Sequence, residues 1–140
     1  LPVPPEYRVA QQVFESFMKD AAIECNVQTT HMVYNIVVGV FHTFRRRLAF
    51  KEAIEFAYVL PPLILALFIA EWDVEEKQVP FKDREEMTKE VKSVRHEHNF
   101  SPDTAIINVA TALRKHVNIR DFDNYLSKLS KEAQDYWNTK

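Results

Sequence analysis

Glycine is almost missing: Gly39 is the single one in 140 residues. Sheet proteins rely on glycine in tight hairpins, where φ must be positive, and no Asn-Gly, Asp-Gly or Gly-Gly pair occurs here. Turns must then come from Pro, Asn, Asp and Ser, which points to an all-α protein. Cysteine is equally scarce. Cys25 stands alone, so no internal disulfide can form and a reducing cytoplasm is the expected home. Met18, Ala21 and Ala22 precede it at helical spacing, which suits a buried, inert thiol better than a nucleophile. No sign of charge dominates, with 18 Lys and Arg against 20 Asp and Glu and a pI near 6.2. Without a global basic field, nucleic-acid binding is not expected. A membrane-length apolar run is absent too. The strongly apolar stretch from Phe56 to Ala70 has 15 residues, about 22 Å as a helix against a hydrocarbon core of about 30 Å. Pro61-Pro62 splits even that, so no membrane span is expected, and no basic n-region followed by an apolar h-region is visible.

What is present reads as a succession of helices. Hydrophobic residues make up 46% and charged residues 27%, ordinary proportions for a folded domain. After Pro4-Pro5, apolar residues recur from Val9 to Cys25 at steps of three and four. Thr29 or Thr30 can cap a second helix, whose apolar residues lie on two sides and whose Gly39 suggests a close helix approach. A short segment from about Lys51 to Val59 follows. Pro61-Pro62 then starts a helix predicted to run to about Trp72, proline being tolerated in a first turn. Residues 73–82 read as a polar linker. Asp83 caps the next helix, with Glu86 in the position of a capping box. Ser101 is the predicted cap, and Pro102 the first-turn residue, of a helix burying Ile106, Val109, Ala110 and Leu113. A short helix with Phe122, Tyr125, Leu126 and Leu129 comes next, and Ser130 caps the last, which carries Ala133, Tyr136 and Trp137.

Sliding residues 105–137 onto 36–68 repeats the pattern. Phe44-Arg-Arg-Arg-Leu48 falls on Leu113-Arg-Lys-His-Val117, Leu60 on Leu129, and Leu67-Phe68 on Tyr136-Trp137. Roughly 20 of 33 positions agree in class, although only Val40/Val109, Arg45/Arg114 and Leu60/Leu129 are identical. The expected architecture is therefore about eight helices in two tandem, pseudo-repeated four-helix halves, about 6–72 and 83–138. Together they form one bundle-like domain over residues 1–140. Leu63-Ile-Leu-Ala66 stands where the second half has Glu132-Ala-Gln-Asp135, so the fourth helix is expected to be enclosed and the eighth exposed on one side.

A long helix ending in Phe44-Arg-Arg-Arg-Leu48, then Leu60-Pro61, an apolar helix and Trp72-Asp73, then a second basic-ended helix about 70 residues on, resembles the bacterial family catalogued as domain of unknown function 2267. The resemblance runs from about Phe14 to Trp137. It implies an all-α cytoplasmic bacterial protein and no reaction. Family members often have Gly before the Trp, where this chain has Glu71, so a local change in how that helix ends is expected.

Few residues suggest chemistry. Arg45, Arg46 and Arg47 with Lys51, and Arg114, Lys115 and His116 with Arg120, could pair as an anion or nucleic-acid site using bidentate arginine contacts. Both clusters also fall at predicted helix C-termini, where positive charge meets the carbonyl end of the dipole; that simpler reading is preferred. His96 and His98 are two apart and would point about 200° away from each other on a helix, so no metal site is expected. Asp73, Glu75 and Glu76 lack the glycine and the distal Glu of a calcium loop. Asp121 and Asp123 make poor acid–base partners for His116, since Asp121 suits a helix N-terminus. With no catalytic residues, metal or cofactor identified, the leading reading is a non-catalytic interaction module that meets a second copy or another protein. Leu63, Leu67, Phe68 and Trp72 on the apolar fourth helix are its candidate surface. Small-anion binding through the paired basic ends comes second, and an enzyme third.

Overall fold

The computed structural model describes residues 3–94 and 101–140. Among them lie eight helices and no strand: α1 (Pro5–Cys25), α2 (Thr30–Arg45), α3 (Phe50–Ala57), α4 (Pro62–Ile69), α5 (Arg84–Lys92), α6 (Ala105–Arg114), α7 (Ile119–Leu126) and α8 (Lys131–Tyr136). Caps explain most of the boundaries. The Thr29, Asp83, Asn118 and Ser130 side chains each accept a backbone N–H three residues on, satisfying a donor that the first turn leaves open. Asn26 closes α1 at φ 55°, and the next amide, Val27 N–H, donates back to the Ala22 carbonyl at 3.1 Å.

Two expected boundaries are corrected. α6 begins at Ala105, not Pro102, because the Ala105 N–H closes a turn onto the Pro102 carbonyl at 3.0 Å, and Thr104 rather than Ser101 precedes the helix. α4 stops at Ile69, short of Trp72. Arg45 takes the Phe68 and Ala70 carbonyls, and Glu71 turns into the left-handed region at φ 53°. That conformation is free to glycine and costs an L side chain about 1–2 kcal/mol.

The helices do not pack half by half. α1 rests chiefly on α6, and α5 chiefly on α2. At the second contact Gly39 is indispensable in shape: a Cβ there would stand 2.7 Å from the Val91 carbonyl oxygen. One buried cluster joins residues from every helix, with Phe41, Phe44, Phe56, Phe68, Phe122 and Trp137 fully enclosed. The Tyr136 hydroxyl donates to the Val40 carbonyl at 2.6 Å, fastening α8 to α2. Residues 73–82 are not a loose tether either. The Val79 N–H donates to the Arg46 carbonyl at 3.0 Å, and the Gln78 amide to that of Arg47 at 3.1 Å, strapping the segment across the end of α2.

Some helix boundaries recur 69 residues apart. α3 and α7 start and stop at positions 69 apart, and α2 and α6 end 69 apart. Residues 62–71 and 131–140 also share one order of buried and exposed positions. This corrects the expectation that α4 is enclosed. Ile64, Leu67 and Phe68 are buried as Ala133, Tyr136 and Trp137 are, while Leu63, Ala66 and Ile69 face solvent as Glu132, Asp135 and Asn138 do.

Candidate functional site

The basic residues at the end of α2 point into the molecule. Arg45 is 5% exposed, and its Nη1 donates to the Phe68 and Ala70 carbonyls at 2.7 and 3.0 Å. Its guanidinium carbon lies 5.3 Å from the Trp72 ring centre, within cation–π range. Arg47 is 3% exposed and divides Nη1 between the Thr43 carbonyl at 2.8 Å and Glu90 at 2.5 Å. Arg46 is half-buried and bridges Glu76 at 3.2 Å and Glu90 at 3.5 Å.

At the end of α6, Arg114 donates through Nε to the Trp137 carbonyl at 2.8 Å and through Nη1 to Asp123 at 2.9 Å. Arg45 and Arg114 thus reach the main chain 23 residues onward in each half, at the C-terminal ends of α4 and α8. Positive charge does meet helix-end carbonyls, as dipole electrostatics favours; Arg47 takes the Thr43 carbonyl of α2 itself, but for Arg45 and Arg114 the ends belong to other helices. Arg84 adds a further hold on α8 through the Asp135 and Tyr136 carbonyls. Lys115 pairs with Glu24 at 3.6 Å, and His116 Nε2 meets Asp20 at 2.6 Å. Both contacts clasp α6 to α1. Arg120 is exposed and makes no ion pair among the described residues. The two clusters take different partners: Arg45 reaches the end of α4 and Arg46 and Arg47 reach Glu90, whereas Arg114 reaches Trp137 and Asp123 and Lys115 reaches Glu24.

The candidate apolar surface also changes. Leu67 and Phe68, at 6% and 0% exposure, belong to the core, because α4 turns that side inward. Leu63 remains on the surface at 40%, joined by Ile69 at 38%. Trp72 is half-buried and stacks on Phe50, with ring centres 5.1 Å apart and 27° between planes.

Two buried titratable groups complete the picture. Burial pushes the Cys25 thiol up to about 11, outweighing a hydrogen bond with Asn108, which leaves it protonated and unreactive near neutrality. His42 lies one turn before Arg45. Its Nε2 is buried without a partner among the described residues. Burial, followed by the Arg45 charge, lowers it from 6.5 to about 4. The unfolded chain therefore binds this proton more readily than the folded one. Stability from the neutral ring is complete above pH 6.5 and is lost as pH falls toward 4. A shift of this size corresponds to about 3 kcal/mol. Urea titrations at pH 7 and pH 4 should show the wild type losing up to that much more than His42→Phe, since carboxylate titration is common to both. Equal losses would show that His42 is not the group responsible.

His96 and His98 lie outside the described residues. Among the described residues no three His, Cys, Asp or Glu side chains gather as a metal site, and no helix is long and apolar enough to cross a membrane. Spacing could not have revealed the His116–Asp20 contact, with partners 96 residues apart, or the Tyr125 hydroxyl on the Glu52 carbonyl, 73 apart.

Eight helices and no strand among the described residues place the chain in a class defined by its all-α architecture. A family model described as "Uncharacterized conserved protein (DUF2267)" matches residues 14–136. The chain belongs to that family. No curated protein matches it.

Proposed function

We propose that the protein is a non-catalytic interaction module, a single helical unit whose uncovered α4 face receives a protein partner. The observation that carries this reading is the contrast between two helices of matching exposure. α8 and the turn after it present Glu132, Asp135 and Asn138 to solvent, as a surface helix ordinarily does, whereas α4 presents Leu63, Ala66 and Ile69 at the corresponding positions. Scattered apolar surface residues need no explanation, but three on one helical face, spaced i, i+3, i+6, form a stripe that another helix can cover. The occupant is a second copy of this chain or a different protein presenting an apolar face.

The experiment is to give α4 the outward residues of α8, as the triple substitution Leu63→Glu, Ala66→Asp, Ile69→Asn. None of these side chains lies in the core, so the far-ultraviolet spectrum and the cooperativity of melting should be retained. Association, measured by light scattering and by capture from native lysate, should fall at least tenfold. A wild type that stays monomeric at high concentration and captures nothing would sink the reading. So would a variant that associates as well as the wild type.

A further inference from the structure

We propose that the small pocket between the end of α2, the start of α3 and the turn after Trp72 binds one oxyanion of the phosphate kind, held by Arg45, Arg46, Lys77 and the open amides of α3. This goes beyond the interaction reading and does not depend on it. It also needs only one of the two basic helix ends.

The pocket has a volume of about 90 Å³ and is lined by Arg45, Arg46, Phe50, Trp72, Glu76 and Lys77 among others. This small, partly open pocket admits a single oxyanion group. Three cations face one carboxylate, and that carboxylate, Glu76, is already engaged by Arg46. Lys77 has no ion pair among the described residues.

Arg45 points most directly to a ligand. It is more than nine-tenths buried, and Nη1 alone carries both carbonyl contacts. Among the described residues Nε is sealed from water without a partner, and no acceptor meets Nη2. The Nε–Nη2 side of a guanidinium is one of the forks that grip paired phosphate or carboxylate oxygens. An anion in the pocket supplies an acceptor to Nη2 on this edge. Burial, then the neighbouring Arg46 charge, also lowers Arg45 to about 10. The fold therefore carries this charge against resistance that a bound anion relieves.

The start of α3, at Ala49 and Phe50, also lines the pocket. Its N-cap is Ala49, which has no side chain able to cap. Glu52 accepts the Ala49 N–H at 2.9 Å. The first helical amides, at Phe50 and Lys51, have no intrahelical partner and no other acceptor among the described residues. A helix N-terminus with free amides favours an anion.

The test uses the full chain and inorganic phosphate, with sodium chloride at matched ionic strength as the reference. Trp72 lines the pocket while Trp137 is sealed in the core, so binding should give a saturable change in tryptophan emission and raise the melting temperature. Lys77→Gln should leave the phosphate-free melting temperature unchanged and weaken binding at least threefold. Trp72→Phe should remove the emission change and keep the melting shift. Glycerol phosphate in place of the free ion separates the sources: equal binding identifies a terminal phosphoryl group as the natural ligand, and binding of the free ion alone identifies inorganic phosphate. A response no larger than that to chloride would overturn the proposal. So would phosphate affinity unaltered in both Lys77→Gln and Arg46→Gln.

Discussion

Trp137→Ala is expected to lower the unfolding free energy by about 3–5 kcal/mol, the range for truncating a large buried aromatic. Trp137 is 0% exposed, and its ring lies 5.2–6.1 Å from those of Phe41, Phe44, Phe56, Phe122 and Tyr136. These neighbours come from α2, α3, α7 and α8, so removing the indole opens a void where four helices meet. Each is itself packed against others and cannot collapse into the space without moving a backbone. The loss is a large part of the roughly 5–15 kcal/mol that holds a typical domain. Trp137→Phe should cost much less. It keeps an aromatic ring in the cluster and removes an indole Nε1 that is buried without a partner among the described residues. Urea midpoints for the two variants, read by circular dichroism, decide the matter. A cost below about 1 kcal/mol for the alanine variant would contradict the packing. Trp72→Ala serves as the comparison, since that ring is half-buried and stacks mainly on Phe50.

Much of the secondary structure was legible because its signals are local. The single glycine excluded tight hairpins, and Thr29, Asp83 and Ser130 cap where their spacing predicted. Gly39 marked a close approach, and Val91 is what approaches it. Partnership across the chain was not legible. Hydrophobicity in α4 says which side chains could be buried, but neighbours decide which are, and α4 received the same exposure as the polar α8. The arginine clusters were placed at helix ends correctly, yet a sequence cannot say whose carbonyls so long a side chain will reach. Arg45 crosses to α4, and with Glu71 at φ 53° it fixes an ending three residues earlier than periodicity suggested. Nor could spacing show that Arg45, Phe50 and Lys77 line one pocket.

Severing the chain after Lys82 should abolish folding of both pieces, although each carries a full set of predicted helices. Sequence likeness alone would suggest two small four-helix units. The packing predicts otherwise, because α1 rests chiefly on α6 and α5 on α2. Residues 1–82 would keep α2 without α5 over Gly39, and would leave Phe17, Met18 and Ala21 of α1 without their main covering. Phe41, Phe44 and Phe56 would lose Trp137. Residues 83–140 would keep α6 without α1, and the Tyr136 hydroxyl would lose the Val40 carbonyl. A piece of 58 residues is near the size at which a lone core becomes marginal, and this one would have its largest aromatic partners removed. Mixed at equal concentration, the pieces should recover helical circular dichroism and a cooperative melt that shifts upward with concentration, because association has become bimolecular. The Gly39→Leu form of the first piece should fail to reconstitute, since even a Cβ there stands 2.7 Å from Val91 O. Cooperative melting of residues 1–82 alone would refute the exchange of helices as the source of stability. Failure of both pieces, repaired by mixing, would show that the two halves fold only as one unit.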